Sequence, residues 1–152
     1  MPVGNCSIIF DSTNCTITKV MNHYFAKEQM PAVRYIVNDV DASVDFYKNI
    51  LGFEVDKHVK SAFAALKLGT LWLYINSPGL GGAGKAMPDG VLPAPGGWNR
   101  FQIQVNNLEL VVEELKKSGA TFRNEIVQGV GGKQILLEDP SQNLIELFEF
   151  PS

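Results

Sequence analysis

The chain has 152 residues, a formal net charge of −3 and a sequence pI near 5.3. This length suits one domain or two small halves that share a core, and the mild acidity argues against binding to the phosphates of a nucleic acid. No apolar run approaches the roughly 20 residues that a membrane-spanning helix needs. Residues 1–14 lack a basic segment followed by an apolar one, so we expect no secretory signal and a cytoplasmic protein.

Histidine and cysteine are scarce, which limits the metal chemistry that the chain can support. His23 and His58 are the two histidines, and Cys6 and Cys15 are the two cysteines. Many metal and acid–base sites use two or three histidines in one pocket. Two cysteines near one end, without a CxxC spacing, cannot staple the rest of the chain. The sequence therefore predicts neither a histidine-rich metal centre nor a disulfide framework.

The first thirty residues differ from the remainder in their pattern. Clusters of Asn, Ser and Thr surround two short apolar segments, and this composition is typical of an irregular arm. Met30-Pro31 comes just before the regular alternation begins. We therefore predict an N-terminal arm over residues 1–30 and a single domain over residues 31–152.

The first half of this domain reads as a strand, a helix and three more strands. Gly52 stops the predicted helix and Gly69-Thr70 turns the last hairpin. Asp41 or Ser43 is the expected helix cap. The predicted elements are a strand over Ala32–Val37, a helix over Ala42–Ile50, and strands over Phe53–Val55, Ala62–Leu68 and Leu71–Asn76.

The same order of elements returns after a loop at residues 79–97 that is rich in Gly and Pro. The second set is a strand over Arg100–Val105, a helix over Leu108–Lys117, and strands over Phe122–Val127, Gln134–Glu138 and Leu144–Phe148. This repeat predicts an α+β fold of two βαβββ modules, at about residues 31–78 and 98–150. Each module is a half-barrel that is too small to close a core alone.

Alternation along the predicted strands separates two faces. In the strand that begins at Arg100, Phe101, Ile103 and Val105 suit the helix side, and the residues between them are polar. The same rule applied to the neighbouring strands collects one set of polar and aromatic side chains on the other side. That set is Arg34, Trp72, Tyr74, Arg100, Gln102, Gln104 and Glu146.

Three segments of the chain resemble the vicinal oxygen chelate superfamily, which includes glyoxalase I, bleomycin-resistance proteins and extradiol dioxygenases. These segments are the strand-end and helix motif at residues 37–53, its second copy at residues 105–120, and the closing turn and strand at residues 138–147. The resemblance implies that the paired modules form a half-open barrel around a concave cleft. It also implies a homodimer.

Metal-using members of this superfamily place four ligands, usually His or Glu, in the cleft. The resemblance carries these positions onto Ala32, a residue at or beside Trp72, Arg100 and Glu146. Of these, Glu146 alone can bind a metal through an ordinary ligand group, because a guanidinium offers no lone pair. We therefore predict no metal site and no cofactor, and we expect Arg100 to take the place of the metal and to pair with Glu146.

The leading functional prediction is a metal-independent protein that binds a small planar or anionic ligand, similar to the bleomycin-resistance branch. Trp72, Tyr74 and Trp98 would stack on the ligand. The polar residues Arg34, Arg100, Gln102 and Gln104 would orient it. A purely structural role is the alternative for these residues. The aromatic residues would then be half-buried strand residues, and Arg100 would be an ion-pair partner of Glu146.

The alternative prediction is an enzyme of the glyoxalase-like lyase or isomerase type, or one related to the dioxygenases. Such an enzyme would work without a metal, with Glu146 as the base and Arg100 stabilising an oxyanion, or with a metal recruited from elsewhere. His58 is expected at the surface among charged residues, and His23 belongs to the arm.

Overall fold

The computed structural model describes residues 30–80 and 82–151, so the arm predicted over residues 1–30 falls almost entirely outside the described residues. The chain divides into two units, and the unit Pro31–Ser152 holds both predicted modules. No helix among the described residues is long and apolar enough to cross a membrane.

Two mixed sheets with one helix each confirm the predicted α+β fold. In the first sheet the strands are β1 (Ala32–Ile36), β2 (Glu54–Val59), β3 (Phe63–Leu68) and β4 (Leu71–Asn76), in the order β1-β4-β3-β2. In the second sheet the strands are β5 (Arg100–Gln104), β6 (Thr121–Phe122), β7 (Val127–Gly129), β8 (Gly132–Glu138) and β9 (Leu144–Glu149). Its order is β5-β9-β8-β6, with β7 also paired to β8. In each sheet the first strand of the module runs parallel to the last.

The two helices begin with the same capping chemistry. Helix α1 (Val40–Asn49) is capped by Asp39, whose side chain accepts a hydrogen bond from the Ala42 amide at 2.9 Å. Helix α2 (Leu108–Lys117) is capped by Asn107, which accepts from the Leu110 amide at 3.0 Å. The expected caps Asp41 and Ser43 are therefore wrong, because Asp39 has the extended backbone that an N-cap requires and helix α1 begins two residues earlier than predicted.

The strand predicted over Phe122–Val127 is divided into β6 and β7. Between them the side chain of Asn124 accepts the hydrogen bond of the Leu136 amide at 2.9 Å. The Asn124 side chain thus replaces a backbone carbonyl as the partner of β8 at this point. The chain leaves its pairing with β8 after β6 and resumes it at β7. Between β4 and β5, the described residues 77–80 and 82–99 form no helix or strand.

One hydrophobic core joins the two modules. It contains buried residues of both helices and both sheets, including Val44 and Phe53 from the first module and Leu108 and Ile145 from the second. Polar contacts cross the same boundary: the Tyr35 hydroxyl donates to the Leu144 carbonyl at 2.5 Å, and Nδ2 of the Asn143 side chain donates to the Ile36 carbonyl at 2.9 Å. Burial raises the pKa of Tyr35 to about 12, so this hydroxyl remains a donor at neutral pH.

Candidate functional site

The strand register places the predicted polar and aromatic residues on one side of each sheet. Arg34 pairs with Tyr74 across β1 and β4, and Gln102 pairs with Glu146 across β5 and β9. Residues paired in register project to the same side of a sheet. Their neighbours along the strands, such as Leu73 and Phe101, are buried in the core. We call the side that carries the predicted site residues the open face of each sheet.

The carboxylate of Glu146 has a partner at each of its oxygens. Arg100 Nε donates to Oε2 at 2.7 Å, and Gln102 Nε2 donates to Oε1 at 2.8 Å. The Glu146 side chain is only 10% exposed, whereas 36% of the Arg100 side chain is exposed. The ion pair between Arg100 and Glu146 that the sequence predicts is therefore present. Gln104 lies one row further along the same face, in register with Phe148.

These contacts keep Glu146 ionised. Its burial acts to raise the pKa of the carboxyl, but the hydrogen bonds from Gln102 and Arg100 and the charge of Arg100 outweigh it. The pKa of Glu146 consequently lies below its ordinary value. A carboxylate with a lowered pKa and two donors already in place is a weak proton acceptor.

On the first sheet, three rings form what we call the aromatic ridge, made of Trp72, Tyr74 and Phe63, in which the central Tyr74 ring is near-parallel to each of the other two. The Tyr74 ring lies 6.2 Å from the Trp72 ring and 6.2 Å from the Phe63 ring, with an interplanar angle of 28° in each case. All three residues are only partly buried. The ridge therefore offers aromatic surface on the open face.

Two cations lie against the ridge. The Arg34 guanidinium carbon is 5.2 Å from the Tyr74 ring centroid, and the Lys67 ammonium is 5.8 Å from the Trp72 ring centroid. A hydrogen bond from Arg34 to the side-chain oxygen of Asn76 holds the guanidinium in place. Sequence analysis missed Phe63 and Lys67, although alternation along β3 would have placed both residues on the open face together with Ala65.

Trp98 stands at the end of the long loop and is 70% exposed. Its ring lies 5.4 Å from the guanidinium carbon of Arg123, a residue that sequence analysis also missed. Arg123 in turn donates from Nε to Glu138 Oε1 at 2.6 Å. The structure thus places Trp98 on a second Arg–Glu pair, separate from the pair formed by Arg100 and Glu146.

Equivalent hydrogen bonds in the two modules define which residues correspond. The Val37 amide donates to the Asn76 carbonyl, and the Val105 amide donates to the Phe148 carbonyl, each at 2.9 Å. Asn76 in β4 therefore corresponds to Phe148 in β9, and the residues two positions before them, Tyr74 and Glu146, correspond to each other. The position in the first module that corresponds to Glu146 is therefore Tyr74 rather than Trp72.

The donor set at these four positions does not fit a metal ion. Ala32 has no donor atom, Tyr74 takes the position that corresponds to Glu146, and Arg100 contributes a cation. Both oxygens of Glu146 are engaged by Arg100 and Gln102. Elsewhere in the described residues, no group of three or more His, Cys, Asp or Glu side chains is arranged to hold a metal ion.

His58 lies outside this arrangement. Its Nε2 atom is 2.6 Å from Asp41 Oδ1, and both side chains are about one third exposed, as expected for a surface residue. Two open pockets of about 430 and 260 Å³ also lie elsewhere, and neither is lined by Glu146 or the aromatic ridge. The larger is lined by Lys116, Ala120, Phe122, Arg123, Asn124 and Glu125, and the smaller by Gln128, Gly132, Lys133, Glu149, Phe150 and Pro151.

Comparison with solved structures identifies the same fold in several bacterial proteins. A lactoylglutathione lyase from Agrobacterium tumefaciens is 19% identical, with a TM-score of 0.60 over 80% of this chain and 93% of that chain. A glyoxalase/bleomycin resistance protein/dioxygenase from Nocardioides is 17% identical, with a TM-score of 0.65 over 90% of this chain and 93% of that one. A virulence protein from Salmonella typhimurium is 21% identical, with a TM-score of 0.62 over 84% of this chain and all of that chain. At these identities the likeness shows the fold alone.

The sequence comparisons give the family. No curated protein matches the chain. The profile of one superfamily matches residues 22–147, which include the first module, the closing turn and all but the last residues of the second module. The chain belongs to the Glyoxalase/Bleomycin resistance protein/Dioxygenase superfamily.

Proposed function

We propose that this protein binds a small planar or anionic molecule on its open faces and does so without a metal ion. The observation that carries the proposal is the state of Glu146. Its two oxygens accept hydrogen bonds from Arg100 and Gln102, so the carboxylate is occupied by groups of the chain itself. Arg100 therefore supplies the positive charge that a metal ion would otherwise provide to balance Glu146.

The remaining polar and aromatic groups support a binding role. Arg100 and Arg34 each place a charged, multi-donor group beside exposed surface, which suits an anionic or hydrogen-bonding ligand. Trp72 and Tyr74 supply apolar surface for a flat molecule, and Trp98 is a second candidate for stacking. Gln104 is a further candidate donor on the face that carries Glu146.

The competing proposal is a lyase, isomerase or dioxygenase-related enzyme. The Agrobacterium protein of the same fold is named as a lactoylglutathione lyase. In this chain a metal-free version would use Glu146 as the base. The lowered pKa of Glu146 and its two donors work against that role, because proton abstraction is most efficient when the pKa of the base lies near the working pH.

We further propose that the protein acts as a homodimer. The outer strand β2 of the first sheet is exposed along its whole length in one chain. A second copy would enclose the ligand more fully, as binding sites usually require. Light scattering after gel filtration should give twice the mass of one chain, and a monomer at micromolar concentration would contradict the dimer alone.

The decisive experiment combines metal analysis with thermal melting. The purified protein should contain no stoichiometric metal, and its Tm should be the same with EDTA, Ni²⁺, Zn²⁺, Mn²⁺ or Fe²⁺. A ligand that binds the folded state at one hundred times its Kd stabilises it by about 2.7 kcal/mol, which is readily seen in a melt. A stoichiometric metal with a raised Tm would overturn the proposal and favour the enzyme.

Melting curves with a panel of small aromatic and anionic compounds test the binding part of the proposal. Compounds that raise the Tm of the wild-type protein should lose much of that effect in Arg100→Met. An equal effect on the variant would place the compounds outside the site around Glu146.

A further inference from the structure

The aromatic ridge and the charges around it indicate which class of ligand the open face selects. We propose that the ridge binds flat aromatic molecules that carry an acidic group, and that Lys67 is the residue that selects for the acid. This inference rests on the proposed binding function and narrows it: the ligand is both planar and anionic, and cationic aromatic compounds are rejected.

The ring geometry carries the first part of the argument. Tyr74 lies between Trp72 and Phe63 at 6.2 Å, and each pair of rings is only 28° from parallel. A flat ligand that stacks on one of these rings is therefore close to parallel with its neighbour as well. Stacking of this kind adds to the free energy gained by burying the ring surface. A saturated ligand of the same size would gain the burial without the stacking.

The charges on the same face carry the second part. In the register of the first sheet, the open face holds the cationic residues Arg34, Lys57 and Lys67 and the carboxylate of Glu54, which lies opposite Lys67; Asp56 falls in the bulge of β2 and has no register partner. Two of these cations already lie over ridge rings, at 5.2 and 5.8 Å from the ring centroids. A cationic ligand would be repelled by these two charges. An anionic ligand is attracted to both.

Lys67 differs from Arg34 in its freedom to meet a ligand. Arg34 is held by its hydrogen bond to Asn76. Among the described residues, Lys67 has no ion-pair partner within 4 Å, and its ammonium lies over Trp72 at the edge of the ridge. An acidic group on a ligand that stacks on Trp72 therefore comes next to the ammonium of Lys67.

The test uses three naphthalene probes that differ in charge: 2-naphthoate, neutral 2-naphthamide and cationic 2-naphthylmethylammonium. Binding is measured by calorimetry and by quenching of tryptophan fluorescence. Because the chain has two tryptophans, the fluorescence is read in a Trp98→Phe background, which leaves Trp72 as the reporter. We expect 2-naphthoate to bind most tightly, to quench Trp72, and to bind more weakly as salt is added.

The matched variants are Lys67→Met and Lys116→Met. Lys116 also lies 5.8 Å from an aromatic ring, that of Phe122, but it is on helix α2 and outside the ridge. Lys67→Met should weaken 2-naphthoate about tenfold and leave 2-naphthamide nearly unchanged. Lys116→Met should change neither. Both variants keep the aliphatic stem of lysine, so comparable melting curves will show that the fold is retained.

Three results would overturn the inference. They are tighter binding of 2-naphthylmethylammonium than of 2-naphthoate, equal effects of Lys67→Met and Lys116→Met, and no binding of 2-naphthoate at millimolar concentration. Tighter binding of the cationic or neutral probe than of 2-naphthoate at Trp72, without a metal, would leave the proposed function intact while rejecting the ligand class. A metal requirement, seen in the melting experiment, would reject the proposed function itself.

Discussion

The hydroxyl of Tyr47 on helix α1 donates a hydrogen bond at 2.9 Å to Asp139 Oδ2, in the turn that precedes the last strand of the other module. Asp139 also accepts from the amides of Ser141 and Asn143 and from the Asn143 side chain. Burial outweighs these bonds and raises the pKa of Asp139. The buried carboxylate of Asp139 thus links the two modules, because it accepts hydrogen bonds both from Tyr47 of the first module and from residues of its own turn in the second.

We expect Tyr47→Phe to lower the free energy of unfolding by about 1–3 kcal/mol, because Asp139 loses a donor in a buried place. Urea unfolding of the wild type and the variant provides the measurement. Tyr74→Phe is the control, since Tyr74 lies on the partly exposed ridge, and it should change stability by less than half as much. Equal effects of the two changes would show that the buried hydrogen bond contributes little.

Removal of the Arg100 guanidinium should cost stability as well as binding. Arg100→Met leaves Glu146 with a single donor, and we expect a loss of about 1–3 kcal/mol. This is less than the roughly 3–5 kcal/mol of a fully buried pair because the Arg100 side chain is 36% exposed. Gln104→Met, on the same strand face but opposite Phe148, is the control. An unchanged urea midpoint for Arg100→Met would reject the pairing as a source of stability.

The lowered pKa of Glu146 gives a pH dependence with a definite sign. Because the folded pKa lies below the unfolded one, near 4.3, the carboxylate stabilises the fold above the unfolded value. That contribution is lost as the pH falls through the folded pKa. The stability difference between the wild type and Glu146→Gln should therefore be largest at neutral pH and shrink as the pH falls below the unfolded pKa. A difference that stays constant over this range would contradict the assignment.

Gly132 should tolerate no side chain. Its φ is +142°, and a Cβ there would lie 2.2 Å from the Glu149 carbonyl oxygen and 2.9 Å from the Phe148 ring. We expect Gly132→Ala to lower the free energy of unfolding by about 1–3 kcal/mol through overpacking and strain. Gly131→Ala is a close control, because its nearest contact would be the Phe148 ring at 4.0 Å. Similar melting curves for the two variants would show that the hairpin adapts without cost.

Strand and helix positions were largely predictable because they depend on short-range patterns. The predicted strand Leu71–Asn76 and helix Leu108–Lys117 coincide with β4 and α2. Gly52, with φ of +74°, and Gly69, with φ of +59°, adopt the left-handed backbone that their predicted roles as stop and turn require. One error, the division of the strand Phe122–Val127 by the bond between Asn124 and Leu136, arose where a tertiary contact decided the outcome.

The side of the strand on which the candidate residues lie was predictable, as was the pair of Arg100 and Glu146, whereas the other contacts were not. Strand alternation by itself placed Trp72, Tyr74, Arg100 and Glu146 on one side, because successive strand residues face opposite ways. Register, however, depends on how strands from distant parts of the chain align. It is the register that brings Lys67 to Trp72 and Phe63 to Tyr74, and neither pairing follows from the sequence of one strand.

The sequence by itself determined the two-module fold, the superfamily and the scarcity of metal ligands, since these follow from periodic patterns, motifs and counts. Tertiary structure alone decided that Gln102 donates a hydrogen bond to Oε1 of Glu146. It also decided that Tyr74, and not Trp72, is the residue of the first module that corresponds to Glu146. The contact between the Trp98 ring and the Arg123 guanidinium is likewise a result of the tertiary structure. The reason is physical: hydrogen bonds and ring contacts act over a few ångströms, and these atoms are brought together only when the sheets have formed.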